Sequence, residues 1–127
     1  MHLTEVFQQT RAMILRMLFL PEKQISFALS FAGVKIRNAE KHRATRAFRI
    51  FGILEDGGPW VQLLEGELYN HLHNKSKPTL QTFYFNEAVE TQFLRFDMDS
   101  YWGGAGGGLN YFKVIPVSGY LIYSSAY

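Results

Sequence analysis

Hydrophobic side chains alternate with polar or small ones over most of the chain from residue 25 onward, and this period of two constrains the fold most. Turn-forming glycine, proline and polar residues separate the alternating runs. The runs predict seven short strands, over residues 25–31, 34–37, 48–54, 60–64, 82–85, 92–98 and 109–114. Because no helical pattern long enough for a crossover lies between them, the fold class is all-β, an antiparallel sandwich or barrel.

The amino-terminal segment has a different pattern. Apolar residues recur at helical spacing within residues 3–20, and Thr4 can cap a helix that Pro21 would stop. We therefore expect residues 1–24 to be an atypical, helix-like segment, residues 25–119 to be the β-domain and residues 120–127 to be a carboxy-terminal tail. Arg16 interrupts the longest apolar run and no small-residue cleavage site follows it, so we predict neither a signal peptide nor a transmembrane span.

Composition and charge narrow the function classes. The 127 residues include no cysteine, which excludes disulfides, thiolate catalysis and iron–sulfur clusters. Residues 1–54 hold nine Lys or Arg and three acids, whereas residues 55–127 hold four and eight. This asymmetry suggests a basic face for an anionic partner. Nucleic acid is not the expected partner, because the net charge is only +2 and no recognition motif is present.

No pattern of catalytic residues is specific. His71 and His73 can both face one side of an extended segment and bind zinc, but no third ligand is spaced with them, so a solvated loop over residues 69–78 is the alternative. Asp97 and Asp99 can assist hydrolysis or simply flank the solvent side of a sheet. We therefore predict a protein that is not an enzyme.

Two loops carry the binding signals. Tyr101 and Trp102 precede the glycine-rich stretch Gly103–Gly108, where exposed rings can stack on sugars, although Trp102 can instead cap the core. Residues 35–49 hold six Lys or Arg and one acid, which predicts a cationic loop. Guanidinium groups pair with carboxylate, sulfate, phosphate or vicinal hydroxyls, and a merely solvated basic edge is the alternative.

Several segments resemble one known family in their order along the chain. The stretches GVKIRN (33–38), HRATRAFRI (42–50) and GLNYFKV (108–114), with the turn that ends at Trp60, are similar to the coagulation factor 5/8 type C, or discoidin, domain. The resemblance covers about residues 25–119. It implies a jelly-roll β-sandwich of the galactose-binding-domain-like class, extracellular and without catalytic activity.

The resemblance also implies a ligand site. In sugar-binding relatives, an arginine and a polar residue near the GVxIR strand and an aromatic from the loop before the last strand line the pocket. Here these positions are Arg37, Asn38, His42, Arg43, Tyr101 and Trp102. Some relatives bind calcium near an opening DG-x-x-x-T-x-W loop that residues 1–24 lack, so we expect no calcium and no other cofactor.

The first functional hypothesis is therefore a carbohydrate-binding adhesion module that recognises a galactose-type or acidic glycan. The alternative is a module that binds anionic phospholipid, with the loop aromatics inserting and the basic cluster contacting headgroups. A protein-interaction or purely structural domain is the third hypothesis. A hydrolase that uses Asp97 and Asp99 is the last.

Overall fold

A computed structural model of the chain describes residues 2–8, 12–19, 30–104 and 106–117. Within these ranges the chain forms eight strands and one short turn of 3₁₀ helix at Lys41–Arg43. The strands are β1 (His2–Gln8), β2 (Ala12–Phe19), β3 (Ser30–Asn38), β4 (Ala47–Ile53), β5 (Trp60–Glu67), β6 (Leu80–Glu90), β7 (Phe93–Met98) and β8 (Leu109–Pro116).

The strands form two antiparallel sheets that pack as a jelly-roll sandwich. One sheet has five strands in the order β1-β2-β7-β4-β5, and the other has three in the order β6-β3-β8. Neighbouring strands within each sheet are antiparallel. The all-β class predicted from the alternation is confirmed, and strands such as β4 and β7 bury every second side chain against the facing sheet.

Phenylalanine rings from both sheets fill the space between them. Phe48 and Phe96, on neighbouring strands of the five-stranded sheet, stack with centroids 5.1 Å apart. From the three-stranded sheet, Phe83 packs edge-to-face with Phe48, with ring centroids 5.0 Å apart, and Phe112 packs edge-to-face with Phe96 at 5.8 Å. Edge-to-face and offset contacts of this kind add to the free energy gained from burying the rings.

The helix predicted within residues 3–20 is wrong. The described parts of that segment are β1 and β2, which pair with each other, and β2 also pairs with β7. A nearly continuous apolar run such as Met13–Leu15 suits a buried strand as well as a buried helix, so spacing alone does not separate the two. Because β2 pairs with β7, this segment is a strand, and part of segment 1–24 belongs to the five-stranded sheet.

Strand boundaries differ from prediction around Gly33. We predicted a break there, but residues Ser30–Asn38 form one strand with an irregularity in its pairing between Phe31 and Gly33. Gly33 allows β6 to approach closely, because a Cβ at this position would lie 2.1 Å from the carbonyl oxygen of Phe83. The run predicted at 82–85 extends over Leu80–Glu90. Residues 25–29 and the predicted tail 120–127 lie outside the described residues.

Candidate functional site

Two loops meet at one end of the sandwich. The cationic loop, residues 39–46, follows β3, and the aromatic–glycine loop, residues 101–108, precedes β8. The backbone N–H of Trp102 donates to the carbonyl of Ala44 at 2.9 Å, and the N–H of Arg46 donates to the carbonyl of Ser100 at 2.8 Å. The two loops that carried the binding signals in the sequence are therefore in direct contact.

Two buried polar side chains hold the cationic loop in shape. The Asn38 carboxamide oxygen accepts from the N–H groups of Ala39 and Thr45, each at 2.9 Å, and its nitrogen donates to the Thr45 carbonyl at 2.8 Å. The Thr45 hydroxyl donates to the carbonyl of Gly108 at 3.0 Å and accepts from its N–H at 3.1 Å. Asn38 closes the loop, and Thr45 ties it to the start of β8.

The aromatic–glycine loop lies against the cationic loop so closely that one glycine is required. A Cβ on Gly103 would stand 2.2 Å from the carbonyl oxygen of His42, a backbone atom that cannot move away independently. A Cβ on the neighbouring Gly104 would meet nothing within 4 Å. The predicted tight connection between the last two strands is therefore built around Gly103.

Trp102 is half-buried, and contacts at the edge and at one face of its indole ring hold it in place. Its indole N–H donates to the carbonyl of Leu68 at 2.8 Å. The Arg46 guanidinium carbon lies 4.7 Å from the ring centroid, and Arg46 pairs with Glu67 at 3.2 Å. This arrangement fixes the plane of the ring against the loop that follows β5.

Trp102 lines an open groove of about 470 Å³ between the aromatic–glycine loop and the loop after β5. The groove combines aromatic surface with planar polar groups. Its lining residues are Glu67, Leu68, Tyr69, Asn70, His73, Asn74, Gln81 and Trp102.

The polar side chains of the groove are themselves oriented by the backbone. The Gln81 carboxamide oxygen accepts from the Tyr69 N–H at 3.0 Å, and the Asn70 oxygen accepts from the His73 N–H at 3.2 Å. With these oxygens engaged, the amide nitrogens are the groups left to donate to a ligand. Tyr69 is 53% exposed, so its ring is available at the rim.

The six residues predicted to bind ligand do not share one pocket. Only Trp102 lines the groove. Arg37 is exposed, and its guanidinium carbon lies 5.7 Å from the ring centroid of Tyr111. His42 and Arg43 are exposed on the cationic loop.

The other two of the six face inward. Asn38 is 2% exposed, so it positions the loop rather than presenting its carboxamide at the surface. Tyr101 is half-buried against the core, and a Cβ on Gly107 would lie 2.5 Å from its ring. Tyr69 and Gln81 were not identified from the sequence as groove residues, although a tyrosine at the start of the polar run 69–78 indicates an exposed ring.

The two candidate catalytic carboxylates, Asp97 and Asp99, are each paired with an arginine. Asp97 accepts two hydrogen bonds from Arg95, and Asp99 accepts two from Arg49. The Asp99 carboxylate raises the pKa of Arg49 above its usual range, through its hydrogen bonds and then its charge, so this guanidinium stays ionised at any working pH.

The two histidines do not face one side together, as a shared zinc site would require. His71 is 2% exposed, whereas His73 is exposed at the groove. Over the ranges that the structure describes, no cluster of three or more potential metal ligands occurs. In the same ranges no helix is long and apolar enough to span a membrane.

Comparison with known proteins identifies the fold. No family model matches the chain, and no curated protein matches it. Among solved structures, the chain is similar to a glycoside hydrolase 29 family member from an unknown rumen bacterium, with a TM-score of 0.68 and 16% sequence identity. The match covers 90% of this chain and 19% of that chain, so the chain spans about a fifth of that protein. At this level of identity, the likeness establishes that the same β-sandwich fold occurs there as part of a longer chain.

Proposed function

We propose that the chain is a non-catalytic carbohydrate-binding module of the discoidin type, acting outside the cell. The observation that carries this proposal is the groove between Trp102 and Tyr69. Its rings offer flat apolar surface, and its amide nitrogens offer hydrogen-bond donors at the same place. A sugar ring presents the complementary surface, because C–H groups cover its faces and hydroxyls project from its edge.

Two further findings support the proposal. The structural neighbour is a glycoside hydrolase 29 family member, and a β-sandwich that matches 19% of that chain suits an accessory domain that holds the enzyme on its glycan. The resemblance to discoidin domains implicates the cationic and aromatic–glycine loops, which here pack together. An extracellular location is proposed from the same resemblance, and Asn74 of the Asn74-Lys75-Ser76 glycosylation triplet is exposed.

The absence of catalysis is part of the proposal and rests on the carboxylates. A glycosidase requires two carboxyl groups that flank one bond of the substrate. Asp97 and Asp99 are each occupied by a two-point pair with a different arginine on the outer face of the five-stranded sheet. Neither carboxylate lines the Trp102 groove.

The test is a glycan array followed by titration of the best ligand. The chain has two tryptophans, so a Trp60→Phe background leaves Trp102 as the single fluorescent reporter of the groove. We expect saturable binding that changes Trp102 emission, and we expect Tyr69→Ala to weaken it at least about tenfold because a stacking surface is lost. Leu54→Ala is the control, since Leu54 is 46% exposed and lies outside the groove.

The proposal is wrong if the folded protein binds no glycan of the array. It is also wrong if Tyr69→Ala and Leu54→Ala weaken binding equally, because the ligand would then not occupy the groove. Circular dichroism on each variant establishes that the sandwich is intact before binding is compared.

A further inference from the structure

The outer face of the three-stranded sheet carries a second set of charged and aromatic side chains. Val34 and Ile36 point into the core with no exposure, so the alternate residues of β3 and of its partners face outward. We call this surface the cationic face. Its outward positions are Lys35 and Arg37 on β3, Leu80, Thr82 and Tyr84 on β6, and Tyr111, Lys113 and Ile115 on β8.

Like charges lie side by side on the cationic face. Lys35 is the direct cross-strand partner of Lys113, and Arg37 is the next outward residue of the same strand. Directly opposed like charges destabilise a sheet. None of these outward positions is acidic, although exposed Glu90 lies on β6 six residues beyond Tyr84, paired with Ser30. None of the three cations forms an ion pair within the part of the chain that the structure describes.

Exposed rings and an apolar side chain surround these cations. Tyr84 is 66% exposed, Leu80 is 43% exposed and Tyr111 is 39% exposed. Arg37 is paired across the sheet with Leu80 on one side and Tyr111 on the other. The cationic face therefore places three positive charges among large side chains left open to solvent.

From this juxtaposition we infer that the cationic face binds a linear acidic polysaccharide, one that bears carboxylate or sulfate groups. Outward cations repeat about every 7 Å along a strand and about 5 Å across neighbouring strands, so one bound chain can meet all three. Its anionic groups neutralise the opposed lysines, while sugar faces pack on Tyr84 and Tyr111.

Other polyanions fit this surface less well. Nucleic acid binding relies on many phosphate contacts, whereas the cationic face has three cations and the chain has a net charge of +2. Insertion into a membrane needs apolar side chains at a protruding tip, whereas Tyr84 and Tyr111 lie within a sheet. The cationic face shares no residue with the Trp102 groove, so this inference stands independently of the function proposed above.

The decisive variant is Lys113→Glu. It replaces the opposed pair of like charges with an ion pair to Lys35, so we expect a higher melting temperature together with weaker polysaccharide binding. A loss of binding caused by misfolding would instead lower the melting temperature. Lys77→Glu is the matched control, because Lys77 is exposed in the loop before β6 and the change in net charge is the same.

The probes are a heparin fragment, an oligogalacturonate and an uncharged oligosaccharide of equal length, measured by calorimetry. We expect at least one acidic probe to bind and the uncharged one not to bind. Lys113→Glu should lower the affinity for the acidic probe roughly tenfold, whereas Lys77→Glu should change it little. The affinity should also fall as the salt concentration rises. Tyr69→Ala leaves this binding unchanged, which separates it from the groove.

Three results would overturn the inference. The first is that neither acidic probe binds the folded protein. The second is that Lys113→Glu and Lys77→Glu weaken binding equally, since net charge alone would then explain it. The third is tighter binding to single-stranded DNA or to phosphatidylserine vesicles than to either acidic probe, which would assign the cationic face to a nucleic acid or a membrane.

Discussion

Asn38 shows how one buried side chain can shape a loop whose residues lie at the surface. Its carboxamide replaces backbone partners that the cationic loop lacks, with hydrogen bonds of 2.8–2.9 Å to Ala39 and Thr45. The resemblance to sugar-binding relatives placed Asn38 among the ligand contacts. Because buried polar atoms must be paired inside the protein, its position instead makes it a determinant of loop conformation.

Asn38→Ala is expected to destabilise the fold by about 3 kcal/mol, because it leaves two buried N–H groups and one carbonyl without a partner. Urea unfolding measures the loss. Asn110→Ala removes an exposed carboxamide on β8 and is the control, with a change within about 0.5 kcal/mol. Equal losses in the two variants would show that the Asn38 hydrogen bonds do not stabilise the loop.

His71 presents the opposite case, a buried polar side chain without hydrogen bonds. The residue is 2% exposed, and neither ring nitrogen has a hydrogen-bond partner within the described residues. Desolvating a polar group without a compensating hydrogen bond costs free energy. His71→Leu is therefore expected to raise the free energy of unfolding by about 1 kcal/mol, as measured by urea titration.

The control for His71 is its near neighbour His73, which is exposed. His73→Leu removes a similar imidazole from water rather than from the interior, so its effect on stability is expected to be close to zero. A marked loss of stability in His71→Leu would show instead that the imidazole nitrogens make a favourable interaction in the folded protein.

At the scale of elements, the site depends on how closely the two loops approach each other. Gly103→Ala would force a Cβ to within 2.2 Å of the His42 carbonyl oxygen, so the loops must separate. We expect a loss of about 2 kcal/mol in unfolding free energy and altered Trp102 fluorescence in the Trp60→Phe background. Gly104→Ala has open space and serves as the control. Similar behaviour of the two variants would mean that the contact at Gly103 is not needed.

The elements could be predicted from the sequence to very different degrees. In the strand Ala47–Ile53 buried and half-buried positions alternate strictly, so its position follows from the period of two. The segment Ala12–Phe19 has apolar residues at most positions, and its conformation is decided by pairing with β7, more than seventy residues away along the chain. A local pattern contains no information about such a distant partner.

The absence of long-range information in a local pattern also explains why the sequence predicted only part of the candidate site. The sequence showed that the cationic and aromatic–glycine loops were special, because composition is a local property. It did not show that Trp102 would turn toward Leu68 and Tyr69 rather than toward Arg37, since that orientation depends on the packing of β5 against the loop before β8. The groove between Trp102 and Tyr69 could therefore be identified only from the structure, because it is formed by segments that are far apart in the sequence.

At the scale of the whole molecule, β1 and β2 extend the sheet that contains β7, β4 and β5, so we expect them to unfold with the rest of the sandwich. Met13 on β2 is 7% exposed and belongs to the same hydrophobic core as Phe48 and Phe96. Met13→Ala is therefore expected to cost about 2–4 kcal/mol. Tryptophan fluorescence should report that loss, although Trp60 and Trp102 lie on other elements.

The test compares the urea midpoint seen by tryptophan fluorescence with the midpoint seen by far-ultraviolet circular dichroism. If β1 and β2 belong to one cooperative unit, both midpoints fall together in Met13→Ala, because losing any strand of a shared core exposes the others. Val61→Ala, at a position 38% exposed on β5, is the control and shifts neither midpoint appreciably. If the dichroism changes first while the tryptophan transition stays in place, the amino-terminal strands form a separate unit, and the sandwich that carries the Trp102 groove and the cationic face is stable without them.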